Sequence, residues 1–268
     1  MKKKHKIAEL IQKIPILKSN QHYRVGDIIN RMGLGRSENS RVHILNDKEF
    51  KGSILQLYLD QISTDSFKAI PLKAAKSYKS LHPFAGKFID SSKERDYRLL
   101  ASIVKKVGPK YPLPAPNELC IHLRGGDVLS LNTQEKSALR GKEKLHLLAD
   151  NQKNLTLLDS IRQKLTEPTA EITSITFVTA IHFGDHPWSG AFKYTNKKLK
   201  INLELYTRLF SSVIQEFSNL KITLPPVINS QSHEQTDYHL SYLCHASHII
   251  TDAGGFSKQA GLIRNELL

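Results

Sequence analysis

Apolar positions follow two rhythms along the chain, and the switch between them lays out its elements. Leu119 to Leu123 is a short apolar run bounded by turn residues, which predicts a buried strand; Leu155, Leu158, Ile161 and Leu165 then recur at helical spacing up to Pro168. The alternation repeats. A strand is expected around Ile175 and Phe177, a helix through Leu205, Leu209, Val213 and Phe217, and a third strand from Lys221 to Leu224, closed by Pro225 and Pro226. Asp237 is placed to cap a helix carrying Leu240, Leu243 and Cys244. His248 to Thr251 reads as the last strand, and Ala253-Gly254-Gly255 turns into a final helix beginning at Phe256. Strands and helices alternating in this way predict a parallel sheet with helices on both faces.

The first part of the chain has a weaker pattern. Helical spacing is visible in Ile7, Leu10, Ile11 and Ile14, again in Ile54, Leu57, Leu59 and Ile62, and through Tyr97 to Val107. It is expected to be α/β as well. Gly108 to Pro116 holds four prolines in nine residues, which forbids a regular element and favours an extended connection. The expected organisation is therefore two units, 1–112 and 113–268. No internal repeat or low-complexity tract is visible, so solenoids and arrays are excluded.

Composition narrows the class. With 268 residues, 40% of them hydrophobic, and 10 Phe and 9 Tyr, the chain can bury a sizeable core, unlike a disordered basic tail. The formal net charge is +14, but it is uneven: residues 1–110 carry 23 basic and 10 acidic groups, the remainder 16 and 15. Two cysteines, Cys120 and Cys244, are too few for a disulfide framework and lack metal-ligand spacing, as in a chain made for a reducing compartment. No window approaches the roughly 18 uninterrupted apolar residues of a membrane span, and Met1-Lys-Lys-Lys-His-Lys leads only into the broken run Ile7 to Leu17. A cytoplasmic protein without anchor or secretory signal is expected.

In parallel sheets ligands collect at the carboxyl ends of the strands. Two stretches stand there: His122-Leu123-Arg124-Gly125-Gly126-Asp127 after the first strand, and Thr251-Asp252-Ala253-Gly254-Gly255-Phe256-Ser257 where the last strand opens into a helix. The first N–H groups of a helix have no partner within it and lie at the positive end of its dipole, so an anion is favoured there. Gly254 and Gly255 leave room for a phosphate to approach, and Ser257 adds a hydroxyl donor. A guanidinium at Arg124 could grip the same phosphate with two parallel hydrogen bonds. The bland readings are a tight turn using glycines for their backbone freedom and an Arg124–Asp127 pair across a surface turn.

Cys120-Ile-His-Leu-Arg-Gly-Gly-Asp127 resembles the H-x-R-x-G-D motif of fucosyltransferases of the GT-B architecture, which include alpha-1,2, alpha-1,6 and nodulation enzymes and protein O-fucosyltransferases. Asp237-Tyr-His-Leu240, Leu243-Cys244 and His248-Ile-Ile-Thr-Asp-Ala-Gly-Gly-Phe-Ser257 resemble, in the same order, the alpha-1,2 family's D-x-x-L, C, I-I and S-S-F-S. The resemblance covers mainly residues 118–268. It differs at Gly125, where the usual second arginine stands, at Gly254-Gly255 in place of paired serines, and at Lys258-Gln259 in place of tryptophans.

This resemblance implies two Rossmann-like domains, 1–112 on the acceptor side and 113–268 binding a nucleotide sugar. It implies an inverting, metal-independent transfer of a sugar, fucose above all, from a GDP-sugar to a glycan or glycoconjugate. Arg124 would be catalytic, holding the β-phosphate and stabilising the leaving diphosphate. His122, Gly125, Gly126 and Asp127 would shape the donor pocket, Asp237 would accept from guanine N1 and N2, and Gly254, Gly255, Phe256 and Ser257 would line the phosphate cradle. The GDP-sugar is a substrate; no cofactor or metal is implied.

His182-Phe-Gly-Asp185-His186-Pro-Trp188 contains candidate metal ligands, yet Gly184 and Pro187 make it a loop rather than a helix face. The resemblance implies that this loop faces the cleft, where Asp185 or His186 would touch donor or acceptor, and His186 is suited to general-base work near neutral pH. His245 and His248 read as ordinary packing or surface residues. No G-x-S-x-G elbow supports hydrolase chemistry. The basic first unit keeps a nucleic-acid-binding protein as the alternative, although its lysines are scattered and no aromatic recognition motif accompanies them. An anionic glycan, or an anionic membrane leaflet bearing lipid-linked acceptors, would suit the same charge. A degenerate relative that binds the nucleotide sugar without transferring it is the third alternative.

Overall fold

The computed structural model describes residues 2–17, 52–62, 67–69, 87–89, 96–126, 129, 151–168, 171–182, 194–229, 233–252 and 255–268. In chain order the elements are α1 (Lys2–Gln12), β1 (Ile16–Leu17), α2 (Ile54–Leu59), β2 (Phe67–Ala69), β3 (Lys87–Ile89), α3 (Tyr97–Val107), β4 (Glu118–Gly126), α4 (Asn151–Leu165), β5 (Ser174–His182), α5 (Asn196–Glu216), β6 (Lys221–Thr223), α6 (His233–His245), β7 (His248–Ile250) and α7 (Gly255–Leu267). A short 3-10 turn, Gly108–Lys110, follows α3. The helix starts are fixed locally: Ser53 Oγ accepts from Gln56 N at 3.1 Å, Asp96 Oδ1 from Leu99 N at 2.8 Å and Thr195 Oγ1 from Lys198 N at 3.1 Å.

Five strands form one parallel sheet. β5 pairs with β4 along nine positions, Glu118↔Ser174 to Gly126↔His182, and β7 flanks the other side of β4 over Leu119↔His248 to Ile121↔Ile250. The far edge of β5 is shared. β6 takes its first residues, Ser174 to Thr176, and β1 its last, with Ile16↔Ile181 and Leu17↔His182. The order is thus β6-β5-β4-β7, with β1 on the same edge of β5 as β6 but at its other end: the chain steps outward from β4 through β5 to β6, then returns across β4 to lay down β7. β2 and β3 form a separate antiparallel pair.

Alternation along the strands splits the interior into two cores. Leu119, Ile121, Leu123, Ile175, Phe177 and Ile181 face α1, α4 and α5, whereas Cys120 and Val178 face α2, α3, α6 and α7. Elements from both sides of the proline-rich stretch share these layers: β1 lies in the sheet, α1 packs on α5, and α3 packs on α6 and α7. No helix among the described residues is long and apolar enough to cross a membrane.

Three expectations are corrected. β4 extends three residues beyond Leu123, because its ladder with β5 continues to Gly126; Arg124 therefore lies on the strand end and not in a following loop. The last strand stops at Ile250 instead of Thr251. α6 begins at His233, so Asp237 sits inside the helix and does not cap it. Its Oδ2 instead accepts the N–H of Ile54 at 3.2 Å, serving the start of α2.

Candidate functional site at the sheet switch point

Where successive connections leave a parallel sheet in opposite directions, ligands bind outside the carboxyl ends of the two neighbouring strands at which the order reverses. Here those strands are β4 and β7. The two stretches singled out in the sequence meet there. Arg124 N donates to Asp252 Oδ2 at 3.0 Å, the Ser257 hydroxyl and His122 Nδ1 are 2.5 Å apart, and the His122 and Phe256 rings lie 5.3 Å centroid to centroid. His122, Asp252, Phe256 and Ser257 are buried, whereas Arg124 is half-buried and Gly255, the first residue of α7, is partly open. Arg124, its Nε buried, is thus held through its backbone by Asp252 and stands beside the Ser257–His122 pair. Ser257, expected as a donor to phosphate, has its hydroxyl engaged by His122.

The glycines of the first stretch have packing reasons. A Cβ on Gly125 would strike the Tyr206 hydroxyl and come within 2.9 Å of Ala180 O, so position 125 has no room for a side chain. Gly126 has φ 108°, a conformation that side chains disfavour. From the α5 side the same backbone is held by Thr179 Oγ1, which donates to Leu123 O at 2.8 Å and bonds the Tyr206 hydroxyl. Asn202 contacts both backbone groups of Gly126: its Oδ1 accepts from Gly126 N at 2.6 Å and its Nδ2 donates to Gly126 O at 3.0 Å. Asp127, Gly254, Asp185 and His186 lie outside the described residues.

α6 contributes buried polar groups beside this point. Gln235 Oε1 accepts from Ile228 N at 2.8 Å, which leaves its NH₂ to face His239 Nε2, also at 2.8 Å. A backbone N–H can only donate, so His239 Nε2 is the acceptor and the imidazole carries its proton on Nδ1. Burial, with His122 as a nearby second imidazole, pushes His239 down to about 3 and keeps it neutral. Asp237 is moved the other way. Burial raises it to about 7, opposed by the Ile54 N–H and by Lys110, with Glu234 adding to the rise. Its Oδ1 has no hydrogen-bond partner among the described residues, and neither has the neighbouring Tyr111 hydroxyl. A guanine base would need both oxygens; Ile54 holds one, and the carboxylate is 1% exposed.

No group of three His, Cys, Asp or Glu among the described residues is arranged to hold a metal. Cys120 and Cys244 are buried and unlinked, their thiols pushed up by burial. His245 Nδ1 bonds Ser241 O at 2.8 Å, a local helix contact. Sequence reasoning gave no role of their own to Asp252 and His239, although both lie in stretches it singled out, and passed over Gln235 and Asn202. For Asn202 a signal existed: it occupies the 202, 206, 209, 213 stripe that α5 buries, where a polar residue needs a partner. Compared with protein-family models, curated proteins and solved structures, the chain finds no match.

Proposed function

We propose that this chain is a GT-B-type glycosyltransferase that transfers a sugar, fucose above all, from a GDP-sugar to a glycan or glycoconjugate, with inversion and without a metal. The observation that carries this reading is the meeting of His122 and Arg124 with Asp252, Phe256 and Ser257 at the β4/β7 switch point, beside the first turn of α7. The acceptor hydroxyl oxygen attacks the anomeric carbon opposite the diphosphate and gives up its proton to solvent; the bond from that carbon to the β-phosphate oxygen breaks, and the bonding pair leaves with GDP. Negative charge grows on the departing diphosphate. Arg124 and the first turn of α7 meet it with donors fixed in advance, the largest single source of stabilisation in reactions of this kind. Residues 1–112 supply the acceptor side in this reading, and their charge suits an anionic acceptor or leaflet.

Thermal unfolding with GDP, UDP and a short oligonucleotide, each in EDTA, tests the reading. GDP raises the melting temperature because it binds only the folded chain. A response to oligonucleotide alone, lost steeply with salt, replaces this reading with the nucleic-acid one. GDP binding without transfer from GDP-fucose leaves a nucleotide-sugar binder. In an active preparation Arg124→Lys keeps the charge but loses the fork, lowering turnover about 10²–10³-fold at an unchanged melting temperature. Wild-type turnover in that variant removes Arg124 from the mechanism.

A further inference from the structure

The end of β4 is a strand with little strand support. β7 pairs only as far as Ile121, so beyond that residue β5 is the remaining ladder partner, and the pairing with β5 itself ends at Gly126↔His182. Side chains satisfy the backbone there. Asp252 takes the Arg124 N–H, and Asn202, from α5, takes both the N–H and the carbonyl of Gly126. The second proton on Asn202 Nδ2 goes to Lys198 O at 3.0 Å, one turn back on α5. Both ends of this amide are thus committed and its orientation is fixed, since only its oxygen can face an N–H. Asn202 is fully buried on an otherwise apolar stripe, where an aliphatic residue would cost nothing in desolvation. The peptide it grips turns through φ 108° two residues after Arg124.

Building on the proposed function, we infer that Asn202 is a positioning residue, which clamps the Gly126 peptide so that the end of β4 presents Arg124 to the donor diphosphate. It touches neither donor nor acceptor. Removing it leaves the sheet intact but lets residues 124–126 wander, and a guanidinium that must meet two oxygens at once suffers most from such looseness.

Two measurements on the full chain decide this. Amide hydrogen exchange compares the segment 122–126 with 175–181 in wild type and in Asn202→Asp, which keeps the shape but turns an oxygen toward the Gly126 and Lys198 carbonyls. Faster exchange at 122–126 with 175–181 unchanged is expected. The affinity for GDP is then measured for Asn202→Asp in the wild-type and the Arg124→Ala backgrounds. A loss of about tenfold in the first and almost none in the second is expected of a residue acting through Arg124. Equal losses in both backgrounds, or unchanged exchange at 122–126, overturn the inference. If wild type binds no GDP, the nucleotide reading falls, and the exchange result alone then decides whether Asn202 fixes this strand end. Should Asn202→Asp fail to fold, Asn202→Ser takes its place in both measurements.

Discussion

α5 and α6 lie on opposite faces of the same sheet and solve burial in opposite ways. α5 buries one stripe, Asn202, Tyr206, Leu209, Phe210, Val213 and Ile214, and leaves the rest to solvent. α6 is buried at ten consecutive positions from Gln235 to Cys244, enclosed by the sheet, α2, α3 and α7, yet half of those residues are polar. A helix buried all round is ordinarily apolar all round. Polar groups on α6 are therefore matched singly, Gln235 by Ile228 and His239, one Asp237 oxygen by Ile54, and the Tyr242 hydroxyl by Glu118 at 2.6 Å, while Asp237 Oδ1 and the Tyr238 hydroxyl find no hydrogen-bond partner among the described residues. The lesson is a division of labour. The α5 face supplies cohesion and holds the β4 backbone, while the α6 and α7 face carries the groups whose burial is costly and which line the switch point.

The largest expected effect strikes cohesion. Phe210 is fully buried, its ring 5.1 Å from that of Phe177 and 5.8 Å from that of Tyr206. Phe210→Ala should cost about 3–5 kcal/mol, seen as a fall of roughly 10 °C in the melting temperature. GDP affinity measured on the folded fraction should not change; a matching loss of affinity would break the division between faces.

A smaller effect is expected where α5 touches the site. Gly125→Ala forces a methyl against the Tyr206 hydroxyl and Ala180 O, an overpacking cost of about 1–3 kcal/mol. Tyr206→Phe in the same chain removes the struck oxygen and should recover part of the melting temperature, but not all, because the Ala180 carbonyl stays. Full additivity of the two substitutions in a double-mutant cycle would contradict the contact.

An effect of the opposite sign belongs to α6. Asp237 holds its proton up to about 7 when folded, against an ordinary 3.8. Between those values the folded chain binds more protons than the unfolded one, so this group's contribution to stability falls as pH rises from about 4 to about 7 and is flat above. Asn in its place can still accept from Ile54 but does not ionise. Asp237→Asn should therefore melt higher than wild type at pH 8, by about 2–4 °C for each kcal/mol relieved, and the gap should close toward pH 4. A gap independent of pH would show that Lys110 and His233 fully offset the burial of this carboxylate and the repulsion from Glu234, with the neutral Tyr111 hydroxyl beside it.

How much of this was legible in the sequence follows from the same contrast. The α5 stripe could be read because burial on one side leaves a 3.6-residue rhythm, and β4 and β5 because fully buried strands are continuous apolar runs. The first half of α6 could not. Gln235, Thr236, Asp237 and His239 look like surface residues, and the helix seemed to begin where its apolar residues begin. The two stretches at the switch point were found because each combines a strand end with glycines and charge, whereas their contact, Arg124 N to Asp252 and His122 to Ser257, spans 128 and 135 residues.

By itself the sequence determined the alternation of strands and helices, the parallel sheet that follows from it, and the identity of the residues at its carboxyl end, because these rest on periodicity and local chain stiffness. Only the tertiary structure decided that β7 returns beside β4, that β1 completes the far edge, that Asp237 serves α2 and not its own helix, and that Gly125 lies beneath Tyr206. Those are relations between segments far apart in the chain, set by which faces bury one another, and no local pattern of side chains carries that information.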